Sequence, residues 1–179
     1  MAEAITHFAR ALGAARSGDI AAAQADIDTL KDLRGQLEKA NQGYWAGQVE
    51  IQVLASQAWS AQGRGNRDEA MRLMRAAADL EDASEKHVAM ENRLYPMREL
   101  LADLLMIHDQ PKAALREYET SMKNAPMRLR GLYGAAKAAD AVGDANKARE
   151  YFDKLARLTR NADSDRPELQ EARRRVAAQ

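Results

Sequence analysis

The sequence predicts an all-α fold: a right-handed α-α solenoid of about four helical hairpins, closed by a C-terminal capping helix. Three observations lead there. Alanine is abundant, β-branched residues are scattered, and no alternating apolar and polar run of strand length persists. Turn signals recur between amphipathic stretches, at Ser17-Gly18-Asp19, Arg64-Gly65-Asn66, Asp109-Gln110-Pro111 and Val142-Gly143-Asp144. Residues also recur at a spacing of 34, pairing Asp109 with Gly143, Ala114 with Ala148 and Tyr118 with Phe152. One hairpin of that size cannot bury its apolar face alone, so successive hairpins must stack.

The hairpins are expected at 3–40, 43–86, 97–123 and 128–160, with the capping helix at 166–178, all within a single domain spanning 1–179. Helix one, near 3–17, carries Ala4, Ile5, Phe8, Ala11 and Leu12 on one face. Gly18 supplies a left-handed cap and Asp19 caps the following helix, which carries Ala23 and Ile27. The second hairpin repeats this grammar with Gly65-Asn66, then Ala70, Met74 and Ala77. In the third, Pro96 opens the first helix and Pro111 suits the first turn of the second. The fourth turns at Gly143-Asp144, and Asp165 with Glu168 and Pro167 marks the start of the last helix. The arginine-rich outer face of that helix, Arg173-Arg174-Arg175, suits the polar end of a stacked array.

A small residue early in the second helix and a large one four positions on, at a period of 34, resemble the tetratricopeptide repeat (TPR). Pro126 falls where that family ends a repeat. The alanine lets two antiparallel helices approach, and the larger residue fills the space beside it. The resemblance is strongest over about residues 95–160; earlier, the alanine spacing stretches to 47 and 44. His7 and Arg98 stand where the family has a large apolar residue. The stretches AITHFARALGAARSGD, YWAGQVEIQ, MRAAADLEDASEKH and NRLYPMRELLADLL also resemble the C-terminal part of a bacterial TPR family of undefined function. That resemblance implies a piece of a longer polypeptide and, for many members, export. It also implies a proline- and glycine-rich connector after Glu85-Lys86-His87, where this chain reads VAMENR.

In arrays of this kind the first helix of each pair lines the concave side. Repeat register then assigns Gln52, Trp59, Gln62, Glu99, Asp103, Arg130, Tyr133 and Lys137 to that surface. Asp103 and Lys137 are equivalent positions and are expected to lie side by side. They form either a lateral salt bridge or, with Arg130, part of a polar groove for an extended peptide. Trp45 and Trp59 share the third helix, where a core position is expected for Trp45 and is left open for Trp59.

The stretch from Glu81 to Pro96 is the rival candidate. Glu81, Glu85 and Glu91 with His87 have ligand types that suit zinc, manganese or iron. No HExxH and no histidine pair at helical spacing accompanies them, and a structural connector is the favoured reading. The methionines Met71, Met74, Met90, Met97, Met106, Met122 and Met127 suggest gap-filling in an alanine-rich core over a copper site.

Other classes lose support. Lys+Arg and Asp+Glu both number 27, so net charge favours neither nucleic acid nor an anionic membrane. Cysteine is absent, which removes disulfide and thiolate chemistry. No G-x-S-x-G and no phosphate-binding glycine loop occurs. No apolar run reaches membrane-spanning length, and the start lacks the pattern of a signal peptide, so the compartment is left as cytoplasmic or exported. The expected function is a non-catalytic scaffold with no cofactor, holding a protein or peptide, with a homodimer or an upstream domain as a further partner through the first helix.

Overall fold

The computed structural model describes residues 2–84 and 95–177. Among them are nine helices and no strand: α1 (Ala2–Ser17), α2 (Ile20–Lys39), α3 (Gly43–Gly63), α4 (Arg67–Ala83), α5 (Met97–Ile107), α6 (Pro111–Asn124), α7 (Leu129–Ala141), α8 (Ala145–Leu158) and α9 (Pro167–Ala177). The chain divides into two compact units, Met1–Glu91 and Asn92–Gln179. No helix is long and apolar enough to cross a membrane among the described residues.

The turns are built as their residue types dictate. Gly18, Gly65 and Gly143 adopt φ of 90°, 79° and 81°, a region that costs a side chain strain. The next residue caps the following helix: Asp19 accepts from the Ala22 amide, Asn66 from Glu69 and Asp144 from Lys147, at 3.0, 3.3 and 3.0 Å. Asp109 takes the same left-handed conformation at φ 57° without a glycine, which aspartate tolerates better than most residues. Pro111 occupies the first turn of α6, where its missing N–H costs nothing.

In the first unit, α2 packs against α1 and α3, α4 packs against α3, and α1 also meets α3. Ala4, Phe8, Ala11, Leu12 and Ala15 of α1 are buried. The apolar face of α1 therefore turns inward, leaving Glu3, Thr6, Arg10, Gly13 and Ser17 outside. Of the two tryptophans, the core residue is Trp59 and not Trp45. Trp59 is 3 % exposed and Arg16 lies over its ring at 4.5 Å. Trp45, in the first turn of α3, is half-buried and meets Tyr44 edge-on at 4.9 Å. A helix end has fewer neighbours than its middle.

In the second unit, α5–α6 and α7–α8 form the hairpins, α6 joins them through α7, and α9 lies against α8. Leu100, Leu101, Leu104, Leu105, Leu132, Phe152 and Leu155 are among its fully buried side chains. Gly134 explains how closely α6 approaches α7. A Cβ there would sit 2.3 Å from the Tyr118 ring, so any larger residue displaces a buried aromatic.

The two departures from the repeat pattern share one solution. Nδ1 of His7 hydrogen-bonds Oδ1 of Asp26 at 2.7 Å, and Arg98 donates to Glu117 at 3.1 Å. In both hairpins the carboxylate stands nineteen residues after its nitrogen partner. The corresponding positions of the other two hairpins carry Leu54 with Leu73 and Leu132 with Tyr151. Asp26 is buried and also receives Arg10 at 3.3 Å. Asp26→Leu alone is expected to cost about 1–3 kcal/mol, because it strands the His7 imidazole. The double variant His7→Leu/Asp26→Leu, which copies the apolar hairpins, is expected to recover most of that loss. Urea unfolding followed by tryptophan fluorescence checks this, since Trp45 and Trp59 both lie in the same unit as the pair.

Candidate functional site

The sequence-assigned surface residues fall in both units. In the first, Gln52 and Gln62 are half-buried on α3, while Trp59 belongs to the core and offers no free surface. The second unit places more chemistry together. Its first-in-pair helices α5 and α7, followed by α9, carry Asp103, Lys137 and Glu171 at successive intervals of 34 residues. The last helix thus continues the repeat register in addition to packing against α8.

Asp103 is the centre of a polar cluster. It accepts hydrogen bonds from Tyr95 Oη at 2.9 Å, Tyr118 Oη at 2.6 Å and Arg130 Nη2 at 2.7 Å. The Arg130 guanidinium lies over the Tyr95 ring at 4.9 Å, so the arginine is held by both charge and stacking. Burial, then the facing Asp103 carboxylate, pushes the Tyr118 phenol far above its ordinary range, so it serves as a fixed donor.

Glu99 lies one turn before Asp103 and is 1 % exposed. Arg128 Nε donates to its Oε1 at 2.9 Å, joining the start of α7 to α5. Its other oxygen, Oε2, is buried without a hydrogen-bond partner. Burial raises the Glu99 carboxyl above the usual range, and Arg128 only partly offsets it. A raised folded-state value means that the folded chain binds the proton more readily than the unfolded one. Its stabilising share is therefore complete below the unfolded value, about 4.3, and is lost as pH rises through the folded value. Wild type is expected to gain stability relative to Glu99→Gln as pH falls through that window. Urea unfolding of both proteins across pH 4 to 8 checks it, and parallel curves would contradict it.

Lys137 does not pair with Asp103 as the register first suggests. It donates to Glu171 Oε1 at 3.0 Å, while Tyr133 donates to Oε2 of the same carboxylate at 2.7 Å. Asp103 is occupied by Arg130, whose planar guanidinium lies 2.7 Å from its Oδ2. Burial, followed by the Glu171 bond, pushes the Tyr133 phenol up to about 12. One turn on, Arg175 donates to Asp140 at 2.6 Å. The expected inner-face residues thus form a ladder of lateral pairs across α5, α7 and α9. Tyr95, Arg128 and Glu171 were not expected at this surface, and Tyr118 was read only as a repeat residue and not as a donor to Asp103. Counting another 34 residues past Lys137 would have found Glu171.

The rival site is largely outside the described residues. Glu81 lies in the last turns of α4 and is 4 % exposed. Glu85, His87 and Glu91 fall outside the described residues, as does Met90. Among the described residues no group of three or more His, Asp or Glu could hold a metal ion. Met74 and Met97 are buried, as gap-filling requires, whereas Met127 is half-exposed.

Hairpins that stack at a 34-residue register define a TPR-like helical-repeat fold. No family model matches the chain, and no match is found among curated proteins. Solved structures do match. One is a Podosopora anserina protein of the kinesin light chain type with nearly identical TPR-like repeats. It has a TM-score of 0.65 at 16% identity, over 97% of this chain and 83% of that one. A variant of the same protein matches with the same score and identity, over 82% of its length. MamA follows at 0.53 and 13% identity, over 92% of this chain and 98% of that one. The chain thereby has a TPR-type fold.

Proposed function

We propose that the chain is a non-catalytic scaffold that binds a peptide segment or a partner domain along the inner face of its first-in-pair helices. The observation that carries this reading is the ordered row of side chains on α5, α7 and α9. The Arg130 and Lys137 side chains are 39% and 40% exposed, yet each is fixed by a carboxylate. Groups ordered before binding lose less entropy when a partner arrives. Asp103 uses one guanidinium nitrogen of Arg130, which leaves other N–H groups to receive a partner's carboxylate. Glu171 and Asp103 present the opposite sign beside them. The partner favoured by this arrangement is an extended segment of mixed charge that exchanges its own ions into the ladder.

Selection of a random peptide library on the immobilised chain, followed by titration of the enriched peptides, tests the reading. Arg130→Ala/Lys137→Ala is expected to weaken binding about tenfold or more, roughly 1.4 kcal/mol per factor of ten. Lys154→Ala, on α8 where it pairs with Glu150, is expected to leave binding unchanged. Failure to enrich any sequence, or equal affinity for the double variant, would overturn it.

A further inference from the structure

The first unit holds a second, separate feature. A cavity of about 280 Å³ opens between α2 and α4, above the end of α3. Ile27 and Leu73 form part of its wall, and its polar lining includes Lys31, Gln57, Ser60, Arg64, Glu69 and Arg72. Its volume falls just short of the roughly 300–1,000 Å³ of pockets for drug-sized ligands, so it suits a compact group.

The cations around it are unequally committed. Arg72 is taken up by Glu69, through two bonds of 2.8 and 2.7 Å. Lys31 is held loosely, 3.4 Å from Asp28, whose same oxygen already accepts from Gln24 at 2.8 Å. Arg64 has no carboxylate partner among the described residues. Its Nη1 donates to Ser60 Oγ at 2.9 Å, which tethers the guanidinium and leaves its other side-chain N–H groups unused. Ser60 itself is 1 % exposed, so that tether is anchored in the core. With Glu69 and Asp28 counted against the three cations, the cavity keeps a net positive charge.

We propose that this cavity binds a phosphate group. The donors line the cavity from separate elements: Lys31 from α2, Gln57 from α3 and Arg64 from the α3 cap. A tetrahedral, multiply charged anion can use all of them, whereas a planar carboxylate satisfies one arginine fork and little else. The group is either a free phosphate or a phosphorylated side chain, and the chemistry recognised is the same.

The test is a titration of the labelled full chain with inorganic phosphate and, separately, with a short phosphoserine peptide. Amide chemical shifts are read at ionic strength held constant with chloride. Saturable shifts at Gln57, Ser60 and Arg64 are expected, weakened tenfold or more in Arg64→Ala and in Lys31→Ala. Both residues project from the surface, and unchanged melting confirms that the variants fold. Tighter binding of the phosphopeptide assigns the source to a protein, and tighter binding of inorganic phosphate assigns it to a free ligand. Shifts that never saturate, or that persist unchanged in Arg64→Ala, overturn the proposal.

Discussion

Phe152→Ala is expected to destabilise the second unit by about 3–5 kcal/mol, the range for truncating a buried aromatic. The ring is fully buried, meets Tyr133 edge-on at 6.4 Å and lies under the Arg175 guanidinium at 5.4 Å. Its removal leaves a void where the helices of the fourth hairpin meet, and the surrounding backbone cannot close it fully. It also withdraws support from Tyr133, which holds Glu171 and so helps position α9. Phe152→Leu keeps most of the volume and is expected to lose less than half as much. Both tryptophans lie in the first unit, so hydrogen exchange of α7 and α8 amides is the proper measure. Unchanged protection in Phe152→Ala would show that this ring is not a keystone of the unit.

Asp103→Ala carries the second large effect, about 2–4 kcal/mol. Three donors lose one acceptor together, and removing one member of a buried charged pair typically costs about 3–5 kcal/mol. Partial hydration of both partners, with Arg130 39% and Asp103 16% exposed, reduces that figure. The Tyr118 hydroxyl has no such relief, because the residue is 3 % exposed and packed against Gly134. Tyr118→Phe in the Asp103→Ala background is therefore expected to restore part of the loss by removing the stranded donor. Asp103→Asn keeps an acceptor oxygen and is expected to cost clearly less than alanine. A double-mutant cycle measured by hydrogen exchange on α5 and α7 separates these contributions. Strict additivity of Asp103→Ala and Tyr118→Phe would remove the cluster as an energetic unit.

The helices were legible because their signals are local. Gly18-Asp19, Gly65-Asn66 and Gly143-Asp144 mark helix ends by backbone chemistry that neighbours do not alter. The 34-residue spacing marked the stacking for the same reason, since equal register places Ala114 and Ala148 at equal helix crossings. The pairing of charges was not legible. Asp103 and Lys137 occupy equivalent positions, but arginine at 130 and glutamate at 171 compete for them. Which partner wins depends on side-chain reach and burial, neither of which spacing encodes. The place of Trp59 was equally hidden, because the packing of Arg16 over its ring belongs to the meeting of α1 with α3.

Residue order alone was enough for the class of fold, the succession of helices and the turns that reverse the chain. Those follow from backbone conformational preference and periodic burial, both of which act within one hairpin. The packed molecule was needed to settle which ionic groups are spent on one another and which, like Arg64, keep hydrogen-bonding capacity for something else. It also placed the His7–Asp26 and Arg98–Glu117 pairs where other hairpins carry apolar residues. Those outcomes depend on distances of a few ångströms between groups remote in sequence, over which charge, solvation and packing compete directly.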